Sequence, residues 1–338
     1  MKIIEVIIDK PLSAVCKEAA AAAAALAPGG VRIDTECSIV SAGTELAIYK
    51  GTESWAPLPY VPGYGAVGRI AAVAKEAPRE GFAAGDRVFC YGSHRTRNDV
   101  NAGDLLVKVP AGLPPEQAVF ARIGAVSITA LRVSPPELGD VVLVLGMGLV
   151  GNLAAQLFAL SGATVVCADI CAKRLELARQ CGMRHVVDSS KEDLKAKVME
   201  LSGGQGARTV VEATGVPAMA ESAFQYVAKN GDLVLLGSPR GEFPADLTAL
   251  LNKVHLWGYG CVTLKGAHEW RFPLKPSEGA KHSIQRNCEI LLALLAGGAL
   301  KVSPLLTHLV APAECQTAYQ GLLHHKDRFG GVVFDWRK

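Results

Sequence analysis

A run of β-branched and leucine residues, VVLVL (141–145), enters a turn in which Gly146, Gly148 and Gly151 stand at the spacing Gly-x-Gly-x-x-Gly. The apolar stretch LVGNLAAQLFAL leaves it and reads as a helix. Strand, turn and helix in that order are the setting in which such glycines do chemistry. The first permits a tight turn, the second lets the backbone approach a diphosphate, and the third lets helix and strand pack closely. The N–H groups freed at Gly148, Leu149 and Val150 then meet phosphate oxygens with the helix dipole behind them. Asp169 closes the next strand-like run, ATVVCAD. A carboxylate there accepts hydrogen bonds from both hydroxyls of an adenosine ribose and repels a 2′-phosphate, so the pattern favours NAD over NADP. Arg174, on the following helix, is placed to cover the same ribose. Arg174 and Lys173 are equally well read as solvated helix charges, and together they leave some room for a phosphate.

Alternation of strand and helix positions these residues. From 122 to 264 the strand-like runs are VVLVL, ATVVCAD, HVVD, ARTVVEAT, GDLVLLG and VHLWGYG, with KRLELARQCG and KEDLKAKVMELSG among the helical stretches between them. Six such strands describe a doubly wound parallel sheet, whose ligands bind beyond the carboxyl ends of its strands. Those ends are Gly146 to Gly151, Asp169, Thr214 with Gly215, Gly237 and Ser238 to Pro239, and Tyr259 to Cys261. Thr214, Gly215, Gly237 and Ser238 therefore join the candidate cofactor-binding residues. Before residue 122 the chain reads as short strands (KIIEVII, VRIDTECSIV, VGRIAAV, GDRVFCY, LLVKVP) with Gly, Pro and Asp turns between them, a small barrel-like β domain. Lys17 to Ala27 is the exception: its alanines favour a helix, and a short helix or an edge segment both fit. The tail from 265 holds a polar connector, a helix (ILLALLAGG) and a last strand, GGVVFDW.

The 338 residues suffice for two domains. Half of them are apolar and a fifth charged, as in soluble globular proteins. A net charge of +3, with no basic run interleaved with aromatics, argues against nucleic acid as a partner. No apolar stretch is long enough to span a bilayer. The opening MKIIEVIIDK lacks the parts of a signal peptide, so a cytoplasmic location is expected. Nine cysteines without a Cys-x-x-Cys pair argue against a four-cysteine zinc lobe and for free, mostly buried thiols.

Four segments in order carry a family resemblance: SAGTELAIYKG (41–51), VPGYGAVGRI (61–70), GMGLVG with Asp169, and LLTHLVAPAECQTAY (305–319), with GDRV (85–88) as a further mark. Over essentially its full length the chain resembles the medium-chain dehydrogenase/reductase superfamily. The wording at 41–45 is similar to bacteriochlorophyllide-type dehydrogenases and their zinc-lacking relatives, and the chain also resembles threonine/sorbitol-dehydrogenase-like members. The resemblance implies an α/β fold: a GroES-like β-barrel catalytic domain from residues 1–121 and 265–338 around an inserted Rossmann domain, 122–264. It also implies homodimers through the Rossmann edge strand, for which the apolar run LNKVHLWGYGCV (251–262) is the candidate.

The departures from the family pattern bear on mechanism. Zinc-dependent members use a cysteine, a histidine and a third cysteine or acid; here those places hold Ser41 or Ala42, Tyr64 (followed by Gly65) and Arg122. Serine, tyrosine and arginine make a poor zinc site, and a guanidinium repels the metal, so no metal is expected. Tyr64 becomes the first candidate for proton exchange with a substrate hydroxyl, and a nearby guanidinium favours a phenolate. Arg122 either supplies that charge, binds an anionic substrate group, or pairs with an acid such as Glu45. Thr44 and Glu45 stand as substrate-side or loop-holding residues, and Ser41 as a catalytic or turn hydroxyl. Tyr64 also reads as a filler of the space a metal would take. His94, in a polar loop, reads as a surface residue, His255 as core or interface, and His324 and His325 as exposed. The expected function is a zinc-independent, NAD-dependent oxidoreductase acting on a small-molecule secondary alcohol or ketone, with a polyol, sugar or cyclitol in view. A reductase of activated double bonds or quinones and a non-catalytic dinucleotide-binding protein stay open beside it.

Overall fold

A computed structural model describes residues 2–19 and 25–338, and the chain divides into two compact units. One unit comprises Met1–Arg122, Pro273–Gly298 and Leu305–Lys338; the other comprises Ile123–Phe272 and Ala299–Pro304. The second unit thus runs eight residues past the expected boundary at 264 and takes back a short stretch of the tail.

Among the described residues the Ile123–Phe272 unit holds six parallel strands. They lie in the order His185–Asp188, Thr164–Asp169, Val141–Leu145, Ala207–Glu212, Val227–Leu235 and Thr263–Gly266. Every residue of Val141–Leu145 is buried, as a central parallel strand covered on both faces requires. Val142 and Val144 pack toward Ala154, Ala155 and Phe158 of the Leu149–Leu160 helix, and Leu143 and Leu145 toward Val198, Ala223 and Phe224 on the other side. The alternation of the strand therefore feeds two cores, one on each face of the sheet.

The last strand is a correction. The run VHLWGYG was expected to be extended, but Leu247–His255 is a helix and the sixth strand is Thr263–Gly266. Asp246 caps that helix by accepting from the Thr248 and Ala249 N–H groups. Leu250 and Val254, four apart, pack toward the core, a helical spacing that the aromatic residues after it obscured. Tyr259 to Cys261 consequently end no strand, and His255 closes a helix and is exposed rather than buried in a core.

In the other unit the order is Leu306–Val310, Gly331–Asp335, Val31–Ile39, Ala66–Val73, Arg87–Cys90 and Leu106–Lys108, with Arg97–Val100 also paired to Val31–Ile39. Gly331–Asp335 runs antiparallel to the end of Val31–Ile39, with Phe334 opposite Ser38. Both ends of the chain thus build one sheet. Ile4–Lys10 and Ser13–Glu18 form a separate two-stranded ribbon; of the alanine-rich segment, residues 20–24 lie outside the described residues. The segment at 42–49, read as a loop, is the helix Ala42–Tyr49. None of the nine cysteines forms a disulfide, and burial pushes the thiols of Cys37, Cys90 and Cys167 up to about 12. Among the described residues no helix is long and apolar enough to cross a membrane.

Candidate active site

The glycine turn follows from steric demands that can be taken one residue at a time. Gly146 has φ +94°, a backbone region side chains rarely adopt, and a Cβ there would lie 2.8 Å from Thr214 Cγ2. At Gly151 a Cβ would lie 1.8 Å from the Gly146 carbonyl oxygen, so helix and strand meet only because neither has a side chain. Gly148 differs: its φ of −65° suits any residue, and nothing lies within 4 Å of where a Cβ would stand. Neither conformation nor packing within the chain demands glycine at 148, and the space beside it is open. The bare first turn of the Leu149–Leu160 helix, with Leu149 and Val150 half-buried, supplies the amide donors. These residues fit a dinucleotide diphosphate.

Asp169 locks this turn. Its Oδ2 accepts from the Met147 N–H at 2.7 Å, and its Oδ1 accepts from the Ile170 and Cys171 N–H groups at 2.8 Å. Arg174 Nη1 stands 3.7 Å from the same carboxylate, while Lys173 is exposed. Next along the sheet edge, buried Glu212 accepts from the Thr214 and Gly215 N–H groups at 2.7 and 3.1 Å and from the Thr214 hydroxyl. Gly215 (φ +70°) and Gly237 pack so closely that a Cβ on Gly237 would lie 2.3 Å from the Gly215 nitrogen. Ser238 beside them is exposed. The structure therefore gathers Thr214, Gly215, Gly237 and Ser238 at neighbouring strand ends. Glu212, which organises them, was not singled out from sequence.

The other unit brings together Ser41, Tyr64 and Arg122. The Arg122 side chain is 3% exposed. Its guanidinium carbon lies 4.5 Å from the ring centroids of both Tyr64 and Tyr91, and its Nη1 donates to the Tyr91 hydroxyl at 2.8 Å. Gly65 makes this possible, because a Cβ there would stand 2.5 Å from Arg122 Cγ. The missing acid at 65 and the arginine at 122 are thus one steric fact. Tyr64 donates to Ser41 Oγ at 2.5 Å. Tyr60 belongs to the same neighbourhood, where burial and the charges of Glu45 and Tyr64 raise its phenol above the ordinary value.

Glu45 is not spent on Arg122 as one reading allowed. It is fully buried; Oε1 accepts from the Ser41 N–H at 2.8 Å, and Oε2 accepts from the Tyr319 hydroxyl at 2.6 Å and lies 3.0 Å from His94 Nε2. His94 is likewise a correction: it is 0% exposed, seated against Gly63, with Nδ1 2.8 Å from Ser38 Oγ and its ring edge-on to Phe334 at 5.0 Å. A polar local sequence hid a residue that distant elements enclose. Thr44 is half-buried on the same helix, and His324 and His325 are exposed. Guanidinium, phenol and serine hydroxyl offer none of the thiolate, imidazole or carboxylate donors that zinc takes. Among the described residues no group of three or more His, Cys, Asp and Glu side chains is arranged to hold a metal.

A glycine turn with its carboxylate on a doubly wound sheet, and a separate β unit built from both chain ends, define a two-domain dinucleotide-binding oxidoreductase. Residues 27–128 match the family described as alcohol dehydrogenase GroES-like domain, and residues 150–272 that described as zinc-binding dehydrogenase. L-threonine 3-dehydrogenase of Paraburkholderia phytofirmans is 29% identical over 330 residues, 87% of this chain and 88% of that one. Galactitol-1-phosphate dehydrogenase from Escherichia coli superposes with a TM-score of 0.83 at 20% identity, over 99% of this chain and 100% of the other. For 2R,3R-butanediol dehydrogenase from Bacillus subtilis the TM-score is 0.80 at 20% identity, over 98% and 99%. The chain belongs to the medium-chain dehydrogenase/reductase superfamily and is an alcohol-dehydrogenase-like oxidoreductase.

The fit of Gly65 to Arg122 is open to direct test. Gly65→Ala is expected to destabilise the protein by about 1–3 kcal/mol through overpacking, read as a lowered urea midpoint. Gly43→Ala, on the exposed side of a helix where no atom lies within 4 Å of the new methyl, is the control and is expected to leave the midpoint level or raise it. Equal midpoints for the two variants would remove Arg122 from its place over Gly65.

Proposed function

We propose that the protein is an NAD-dependent oxidoreductase that transfers hydride between the nicotinamide and a secondary alcohol or ketone without a catalytic zinc. The observation that carries this reading is the Arg122 guanidinium, buried 4.5 Å from the Tyr64 ring centroid over a glycine that makes room for it. Residues that the zinc-dependent pattern gives to metal ligands are here a cation and a phenol that support each other.

Gly146, Gly148 and Gly151, with the Leu149 and Val150 amides, hold the diphosphate; Asp169 and Arg174 face the adenosine ribose. Thr214, Gly215, Gly237 and Ser238 line the neighbouring strand ends. When bound, the dinucleotide supplies the hydride acceptor or donor. Tyr64 handles the proton, with Ser41 Oγ as its hydrogen-bond partner: in oxidation Tyr64 as phenolate takes the proton from the substrate hydroxyl and becomes phenol, and in reduction the phenol gives it back and becomes phenolate. Arg122, always protonated, stabilises negative charge developing on either oxygen during transfer. Thr44, half-buried, stands three residues after Ser41 in the Ala42–Tyr49 helix. L-threonine, 2R,3R-butanediol and galactitol 1-phosphate, the compounds in the relatives' names, all carry secondary hydroxyls, which supports that substrate class and a polyol, sugar or cyclitol within it.

Two measurements on one sample test the chemistry. Elemental analysis is expected to find no stoichiometric zinc in protein that oxidises one of those three compounds, and Tyr64→Phe is expected to lower kcat by about 10²-fold or more. Stoichiometric zinc, or full turnover by Tyr64→Phe, defeats the proposal.

Cofactor choice rests on Asp169. Asp169→Ala is expected to shift the ratio of kcat/KM for NAD over NADP toward NADP by at least about tenfold, through loss of the ribose contacts and of charge repulsion. An unchanged ratio would show that this carboxylate does not select the cofactor.

The same reading includes a homodimer. Thr263–Gly266 is the edge strand of its sheet, and Leu251, Trp257, Tyr259 and Leu264 nearby are 53%, 63%, 64% and 41% exposed. An open edge flanked by apolar side chains suits a second copy of the chain. Sedimentation equilibrium is expected to give twice the 35.5 kDa chain mass; a single-chain mass counts against it.

A further inference from the structure

The Ser41–Tyr64 contact is held by a buried network that the proton exchange itself does not use. A serine preceding a helix ordinarily turns its hydroxyl onto the N–H groups of the first turn. Ser41 stands at that position of Ala42–Tyr49 yet makes no such bond; its Oγ receives Tyr64 instead. What holds Ser41 is its own N–H, which donates to Glu45 Oε1 at 2.8 Å, while the Glu45 N–H donates to the Ser41 carbonyl at 2.9 Å.

Glu45 in turn is fixed from elements far away in sequence. Tyr319, on the Cys315–His324 helix, is fully buried and donates to Glu45 Oε2 at 2.6 Å. Burial and the neighbouring carboxylate push its phenol well above the ordinary value, so it stays a donor. The Trp336 indole, which can only donate, gives its proton to Ser38 Oγ at 2.8 Å. Ser38 Oγ in turn lies 2.8 Å from His94 Nδ1, and His94 Nε2, 3.0 Å from Glu45 Oε2, donates to that carboxylate. The buried Glu45 carboxylate thus receives three donors, from Ser41, Tyr319 and His94, as its burial requires.

We propose that Glu45 and Tyr319 are positioning residues for the reacting pair: by holding the Ser41 backbone they free its hydroxyl to face Tyr64. Neither touches substrate; both act through Ser41. The inference rests on the proton-transfer role given above to Tyr64, with Ser41 as its partner. A capping hydroxyl diverted from its helix, with a buried carboxylate taking over the backbone, is the arrangement expected when the direction of that hydroxyl matters.

The test is a double-mutant cycle. Tyr319→Phe keeps the ring and removes one donor from Glu45; Glu45→Gln is the second variant should the first not fold. Each is expected to lower kcat on whichever of L-threonine, 2R,3R-butanediol or galactitol 1-phosphate is turned over, on the order of tenfold, with KM for NAD unchanged. In a Ser41→Ala background the same changes are expected to cost nothing further in kcat. A second arm needs no turnover. In protein carrying ζ-13C tyrosine, the resonance that disappears in Tyr64→Phe is expected to move in Tyr319→Phe and in Glu45→Gln. Equal losses with and without Ser41, or full kcat together with an unmoved Tyr64 resonance, overturn the inference. If no compound is turned over, the resonance alone decides. Full activity of Tyr64→Phe would sink the proton-transfer reading itself, and the resonance arm would still report whether Glu45 and Tyr319 set the position of Tyr64.

Discussion

One buried cation, Arg122, organises the aromatic cluster of the β unit. The Arg122 guanidinium sits 4.5 Å from two tyrosine ring centroids, and the rings' negative faces and the Tyr91 hydroxyl offset part of the cost of desolvating it. Its stem needs the space that a side chain at 65 would fill. Beside it the Tyr64 hydroxyl donates to Ser41 Oγ.

The sheet unit obeys a different constraint, backbone proximity. Gly146 and Gly151 meet within a distance no side chain allows, and Gly215 and Gly237 do the same one strand over. Buried carboxylates staple both places: Asp169 on the amide of Met147, Glu212 on those of Thr214 and Gly215. Stiff strand ends with their amides already spoken for leave a defined set of donors at the first turn of the Leu149–Leu160 helix. Glu45 repeats the device in the other unit, where a buried acid fixes the start of Ala42–Tyr49. In each case a carboxylate surrounded by donors sets a local backbone that packing alone leaves loose.

Much of this was legible in the chain. Local pattern marked five of the six parallel strands, because each carries a short apolar stretch rich in valine or leucine with turn residues near its ends. It failed at 247–255, where Trp257 and Tyr259 lent a helix the look of a strand. Asp246, the cap that would have revealed it, sits in a stretch without other helix signals. Asp169 announced itself by spacing. Glu212 has the same kind of role but no motif around it, and Tyr91 carried no signal beyond its residue type. His94 was misjudged because its neighbours in sequence are polar, while its neighbours in space are Phe334, Ser38 and Glu45.

The order of residues by itself determined the dinucleotide turn, the doubly wound sheet and the replacement of metal-ligand residue types, since each depends on contacts between residues near one another in the chain. Tertiary structure alone decided which polar groups face each other. Tyr319 and Glu45 are 274 positions apart and Trp336 and Ser38 are 298 apart. They come together where Gly331–Asp335 pairs with Val31–Ile39 and brings the end of the chain beside strands from its beginning. Short-range pattern records the backbone's path; hydrogen-bond partners inside a core are set by closure of long loops, which leaves no periodic trace in the sequence.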